Sequence, residues 1–118
     1  MKYQITSDNI QLSSSMEQLT KDKFERVERR IDEIVPEDAR FARVVLNSSP
    51  NETFTVKASV EVDGKNYFSE ETDFSLESAL VKTVEELIQM MTKEKEQQKD
   101  RNESLREEML QDGDSEVE

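Results

Sequence analysis

Residues 54–72 read FTVKASVEVDGKNYFSEET and carry the clearest structural pattern of the chain. In its first half, hydrophobic residues at positions 54, 56, 58, 60 and 62 alternate with polar residues. Because successive side chains of a β-strand point to opposite faces, the alternation predicts a strand with one buried and one solvated face. Asp63 and Gly64 then give the signal of a tight turn. The stretch therefore predicts a β-hairpin whose second strand runs from Lys65 to Thr72.

Amphipathic helices are predicted on both sides of this hairpin. Upstream, Ser14 and Glu17 have the spacing of a capping box, and the helix that they begin is expected to run until Pro36. Its stripe comprises Met16, Leu19, Thr20, Phe24, Val27, Ile31 and Ile34. Downstream, a second helix is expected from about Ser75. Its stripe comprises Leu76, Ala79, Leu80, Thr83, Val84, Leu87, Ile88 and Met91.

Two further segments complete the pattern. Residues 2–6 alternate Tyr3 and Ile5 with polar neighbours, and residues 41–46 are rich in β-branched side chains, so both are predicted strands. The element order β-α-β-β-β-α indicates an α+β fold with a four-stranded mixed sheet. The first two strands are expected to be parallel, the rest to form an antiparallel meander, and both helices to cover one face. The predicted core is Ile5, Leu19, Val27, Ile31, Val44, Val56, Val60, Leu80, Val84 and Leu87.

The composition favours one domain followed by a charged tail. With 118 residues, 33% of them hydrophobic and 37% charged, the chain has apolar material for one small core. Residues 1–99 are assigned to this domain. Residues 100–118 carry two basic and eight acidic side chains, which is half of the net charge of −12. Because this acidic tail has few apolar anchors, we expect it to be disordered.

Several residue types that enzymes and metal sites use are missing. The chain has no cysteine and no histidine, which removes thiolate chemistry and the side chain that most often transfers protons near neutral pH. With Gly64 and Gly113 as the only glycines, no glycine-rich phosphate loop can form. We therefore expect no enzymatic activity, no cofactor, no metal ion and no small-molecule substrate. No apolar window approaches the roughly 20 residues that span a bilayer, so a cytoplasmic location without membrane contact is expected.

A row of cations follows one flank of the first helix. At 100° per residue, they gather beside its apolar stripe, and further cations lie near the end of the second helix. The set comprises Lys23, Arg26, Arg29, Arg30, Lys93 and Lys95. One interpretation is a groove between the helices that binds the phosphates of structured RNA, which is recognised by shape and backbone charge.

The other interpretation is a solvated helix with internal ion pairs, such as Asp22 with Arg26 and Glu25 with Arg29. Composition alone favours this second interpretation, because acidic residues near the row dilute its charge. The overall negative charge acts in the same direction, since it repels phosphate at long range.

The segment YFSEETDFSLESA at 67–79, followed by VEEL at 84–87, resembles the last strand and second helix of one family. This is the hibernation-promoting factor and ribosome-associated inhibitor family, also called the sigma-54 modulation protein family. KFERV at 23–27 and IDEI at 31–34 are similar to the family's first helix. The resemblance extends over residues 1–99 and agrees with the predicted order of elements.

The resemblance implies a bacterial stress-response protein that binds the small ribosomal subunit in the channel used by tRNA and mRNA. Such a protein inhibits translation by occupancy, and its basic side chains hold 16S rRNA. Lys23, Arg26, Lys93 and Lys95 match basic positions of the family, whereas Ile88 and Gln89 stand where the family carries paired arginines. The acidic tail is expected to cover the basic groove, with contact to ribosomal proteins as the alternative. The alternative function is a diverged, non-catalytic module that binds a protein.

Overall fold

A computed structural model describes residues 1–94 and gives the predicted order of elements. The strands are β1 (Lys2–Thr6), β2 (Arg40–Ser49), β3 (Thr53–Val62) and β4 (Lys65–Asp73). Helix α1 spans Ser14–Glu28, a short 3-10 helix spans Glu37–Ala39, and helix α2 spans residues 76–94 within the described part. Lys95, the proposed boundary at residue 99 and the acidic tail at residues 100–118 lie outside the described residues.

The sheet has the strand order β1-β2-β3-β4. β1 and β2 are parallel and joined through α1, whereas β2–β3 and β3–β4 are antiparallel neighbours. Asp63 and Gly64 adopt φ angles of 50° and 81°, which suit the tight turn that the sequence predicts between β3 and β4. The α+β fold class and the mixed sheet are therefore confirmed.

One face of the sheet, here called the inner face, forms the core with the two helices. Its fully buried side chains are Ala42, Val44, Leu46, Val56, Ala58 and Val60. Phe24 and Val27 of α1 and Leu80, Val84 and Leu87 of α2 are buried in the same cluster. Eight of the ten predicted core residues are buried, and Ile5 and Leu19 are partly buried against them. Each large apolar side chain contributes about 1.5–3 kcal/mol by leaving water.

The opposite side of the sheet, here called the outer face, is left uncovered by the two described helices. Side chains alternate along each strand, so this face carries the residues between the core positions. Its central members are Phe41, Arg43, Val45, Lys57, Ser59, Glu61, Asn66, Phe68 and Glu70. Glu70 and Glu71 lie on opposite faces, as expected for neighbours on a strand.

A serine hydroxyl group caps the N-terminus of each helix. Ser13 is the N-cap of α1, and its hydroxyl oxygen accepts a hydrogen bond from the backbone N–H of Met16 at 3.2 Å. The capping residue is thus one position earlier than the predicted Ser14. Ser75 accepts from the N–H of Ser78 at 3.0 Å, which agrees with the predicted start of α2.

The prediction that the first helix extends to Pro36 was wrong, because α1 ends at Glu28. The N–H of Ile31 donates to the carbonyl of Glu28 at 3.1 Å, in a tighter turn than an α-helix has. The Asp32 side chain then accepts from the N–H of Ile34 at 3.2 Å and offers the backbone an alternative to the helix. Ile34, predicted in the apolar stripe, is consequently 76% exposed. Within the described part of the chain, no helix has the length and apolarity needed to cross a membrane.

Candidate nucleic-acid interface

Three of the predicted cations meet beside α2. Arg26 lies on the last turn of α1, and Arg29 and Arg30 lie in the turn that closes the helix. Together with Ile88 of α2, they line a surface depression of about 160 Å³. We call Arg26, Arg29 and Arg30 the arginine cluster. Arginine carries a charged planar head on an apolar stem, so such a depression offers an apolar base beneath cationic groups.

The charge of the arginine cluster is partly compensated. Arg29 Nη2 lies 3.2 Å from Glu25 Oε1, as predicted, but both side chains are more than half exposed, so solvent screens this pair. Arg26 forms no ion pair within residues 1–94, and the predicted pair with Asp22 is absent there. Asp22 instead accepts a hydrogen bond from Gln18 Nε2 at 2.8 Å. The guanidinium group of Arg26 therefore keeps its capacity to bind an anion.

The other three predicted cations are placed differently. Lys23 Nζ lies 3.1 Å from Glu77 Oε1, so Lys23 joins α1 to the first turn of α2. Lys93 is exposed on α2 but does not line the depression. Lys95 lies outside the described residues. Three of the six cations are thus gathered at one place, and a fourth serves as a bridge between the helices.

A ladder of polar contacts, which the sequence analysis missed, holds α2 against the edge strand β4. Its upper contact is Asp73 Oδ2 with Lys82 Nζ at 2.8 Å. In the middle, Ser69 Oγ donates to Glu86 Oε2 at 2.5 Å. At the lower end, Glu94 accepts from the Tyr67 hydroxyl and lies 2.9 Å from Lys65 Nζ. The sequence pattern that could have predicted this ladder is the row of polar residues at positions 65, 67, 69, 71 and 73, because all five share the inner face of β4.

The same ladder shifts several pKa values. A hydrogen bond with Glu86, followed by burial, raises the pKa of Glu71. Hydrogen bonds from Ser69 and Glu71 lower the pKa of Glu86. Burial raises the pKa of Tyr67 to about 12, and its hydrogen bond to Glu94 acts in the same direction. The ladder therefore fixes α2 on one side through groups whose charge depends on pH, and the opposite side of the helix faces the arginine cluster.

The arrangement is suited to binding phosphate rather than metal. Guanidinium groups donate paired hydrogen bonds to phosphate oxygens, and several of them in one depression can follow a nucleic-acid backbone. Among residues 1–94, no cluster of carboxylate side chains has the geometry to hold a metal ion.

Comparison with known proteins identifies the family. The model of the family described as "Sigma 54 modulation protein / S30EA ribosomal protein" matches residues 3–99, and the chain belongs to this family. No curated protein matches the chain.

Two solved structures share the fold. The N-terminal domain of Protein Y from Thermus thermophilus superposes with a TM-score of 0.68 at 20% identity, covering 79% of this chain and 98% of that one. A ribosomal subunit interface protein from Coxiella burnetii gives a TM-score of 0.65 at 18% identity, covering 80% of this chain and 98% of that one. At these identities, the likeness concerns the fold.

Proposed function

We propose, from membership of the sigma 54 modulation protein / S30EA ribosomal protein family and from the arginine cluster, that this protein associates with ribosomes and silences them. It binds 16S rRNA of the small subunit in the channel that tRNA and mRNA use. Binding excludes these ligands and thereby inhibits translation. The protein acts in the cytoplasm, makes and breaks no covalent bond, and needs no cofactor.

The observation that carries this proposal is the gathering of Arg26, Arg29 and Arg30 in one depression between the helices. The chain has a net charge of −12, so its overall field repels phosphate at long range. Binding to rRNA therefore requires cations concentrated at one place, where short-range contacts exceed the general repulsion. The arginine cluster supplies this concentration. Arg26 contributes most, because no carboxylate of the described residues forms an ion pair with it.

Co-sedimentation with small ribosomal subunits over a range of salt concentrations tests the proposal. Replacing Arg26 and Arg30 by alanine removes two cations, and at Arg26, which lies within α1, alanine has the highest helix propensity. We expect weaker binding by the double variant and a salt dependence flatter by about two units, because each lost phosphate contact removes about 0.9. Lys21→Ala is the matched control, since Lys21 is exposed on α1 about 140° around the helix from Arg26. This control should bind like the parent protein.

Competition tests the inhibitory step. If the protein occupies the channel, bound tRNA and mRNA should reduce its binding to small subunits, and the protein should inhibit translation in a purified system. Absence of co-sedimentation even at low salt contradicts the proposal and favours the alternative module that binds a protein. Binding that tRNA and mRNA do not affect contradicts the channel assignment while leaving ribosome association intact.

A further inference from the structure

The outer face of the sheet, opposite the helices and the arginine cluster, carries two phenylalanines and an arginine. Phe41 and Arg43 lie on β2, two residues apart and therefore on the same face. Arg43 of β2 is paired with Ser59 of β3, and Ser59 is paired in turn with Phe68 of β4. The three side chains Arg43, Ser59 and Phe68 thus form one row across the sheet, with Phe41 beside its first member.

Phe68 is unusually exposed for an aromatic residue, at 55% of its surface. Its neighbours along β4 on this face are the polar residues Asn66 and Glu70, so no apolar side chain of its own strand covers the ring. Burying such a ring under a planar ligand removes apolar surface from water and adds stacking contact. An exposed ring on the uncovered face of the sheet is therefore a favourable stacking surface.

Arg43 adds a cation to this surface. Its guanidinium carbon lies 5.9 Å from the centre of the Phe41 ring, and its Nε donates to Gln4 Oε1 at 3.1 Å. Arg43 forms no ion pair with any carboxylate of residues 1–94. The other cation in the centre of this face, Lys57, has Glu70 at 4.0 Å. In a chain with so many carboxylates, Arg43 retains a positive charge that complements a phosphate group.

A shallow trough of about 160 Å³ on this face is lined by Phe41, Arg43, Ser59, Glu61 and Asn66. Ser59 is small, so the larger side chains on both sides of it leave room for a flat group. The Asn66 amide and the Glu61 carboxylate supply hydrogen-bonding groups of the kinds that read base edges. The trough thus combines aromatic, cationic and hydrogen-bonding groups.

We propose that the outer face binds single-stranded RNA, with bases stacked on Phe41 and Phe68 and a backbone phosphate held by Arg43. Aromatic rings on an open four-stranded sheet, with an arginine beside one of them, match what single-stranded RNA offers, which is planar bases joined by anions. This site is separate from the arginine cluster, so the protein can hold a second RNA segment on the side away from the helices. The inference therefore goes beyond the proposed function and does not depend on it.

Fluorescence anisotropy of the full chain with a fluorescein-labelled, single-stranded oligoadenosine tests this proposal. Phe68→Ala should weaken binding by about 5-fold to 150-fold, since stacking on one aromatic ring is worth roughly 1–3 kcal/mol per base. Phe68→Trp should retain affinity. Arg43→Ala should weaken binding and reduce the salt slope by about 0.7, the value for one phosphate of a single strand. Because Phe68 and Arg43 are exposed, unchanged melting curves are expected for these variants.

The control is the Arg26→Ala, Arg30→Ala variant, which should bind the oligonucleotide like the parent and lose affinity for small subunits. This result separates the two RNA sites, so either proposal can fail without the other. Equal affinity of the parent and Phe68→Ala overturns the inference, as does a parent protein that does not bind the oligonucleotide. Self-association of the parent that Phe68→Ala abolishes also overturns it, because the outer face is then covered by a second copy.

Discussion

The inner faces of β3 and β4 are neighbours in one sheet, yet they hold the helices in different ways. At the centre of β3 the inner residues are apolar and fully buried, whereas the residues opposite them on β4 carry polar groups. The pairs are Val60 with Tyr67, Ala58 with Ser69, and Val56 with Glu71. The central strand is therefore stabilised by burial of apolar surface, and the edge strand by hydrogen bonds and ion pairs with α2.

This difference follows from position in the sheet. A central strand lies beneath both helices and is closed off from water, while the edge strand lies at the rim, where water still reaches polar groups. The free energy of apolar burial does not depend on protonation. The contacts of Ser69, Glu71 and Glu86 do depend on it, because their strength changes with the charge of the two carboxyl groups. The edge is thus a part of the fold whose stability responds to pH.

The largest loss of stability should come from placing a charge in the apolar core between the helices and the sheet. Val84 of α2 is 1% exposed, and Val84→Asp buries an unpaired carboxylate at a cost of several kcal/mol, against a total stability of roughly 5 to 15 kcal/mol. We expect loss of the cooperative thermal transition in circular dichroism. Gln89→Asp places the same group at an exposed position of the same helix and should melt like the parent. An unchanged transition for Val84→Asp contradicts the packing of α2 described above.

A direct comparison of the two strands should give an intermediate effect. Val60→Ala removes apolar groups from a buried site and should cost about 2–3 kcal/mol, including the cavity left behind. Ser69→Ala removes the hydroxyl that donates to Glu86 and should cost about 1 kcal/mol. Urea denaturation measures both values. Ser59→Ala on the outer face should stay within about 0.5 kcal/mol of the parent. Equal losses for Val60→Ala and Ser69→Ala contradict the distinction between the strands.

The smallest expected effect concerns the carboxyl pair of the ladder. The pKa of Glu71 is raised in the folded state, so the folded protein binds this proton more tightly than the unfolded chain does. The contribution of Glu71 to stability therefore falls as the pH rises from the unfolded pKa of 4.5 through the folded pKa. Glu71→Gln keeps a hydrogen-bond donor toward Glu86 and removes this loss. We expect a melting temperature higher by about 1 to 2 °C near pH 7 and unchanged near pH 4.

Glu70→Gln is the matched control for this substitution, because Glu70 is the neighbouring residue on β4 and lies on the outer face. Its exposed pair with Lys57 at 4.0 Å contributes little, so the variant should melt like the parent at both pH values. A similar gain for Glu70→Gln at neutral pH assigns the effect to the general negative charge of the chain and contradicts the role of the Glu71–Glu86 pair.

Much of the fold could be predicted, because patterns of period 2 and 3.6 report which face of each element is apolar. The alternation at 54–62 was sufficient to identify the buried face of β3, and the stripe around Val84 to identify that of α2. The end of α1 could not be predicted, since Ile31 and Ile34 continue the helical spacing beyond it. The turn at Asp32 prevails there through local hydrogen bonds that periodicity does not reveal.

The candidate site was predicted less completely than the fold. Cation spacing along α1 identified the arginine cluster, because that spacing is local. Two other features depend on which distant segments meet: the pairing of Lys23 with Glu77, and the position of Ile88 beside Arg26. The polar row of β4 was visible in the sequence, but its partners on α2 were not.

The order of elements, the β3–β4 turn and the apolar face of each strand and helix could be predicted, because these depend on neighbouring residues and their periodicity. The tertiary structure decided which cations gather beside α2, which one is neutralised by Glu77, and how the polar side of β4 is satisfied. It also decided that Phe68 lies exposed in one row with Arg43. The physical reason is that charge compensation and exposure depend on distances between segments far apart in the chain, which the packing of the helices on the sheet establishes.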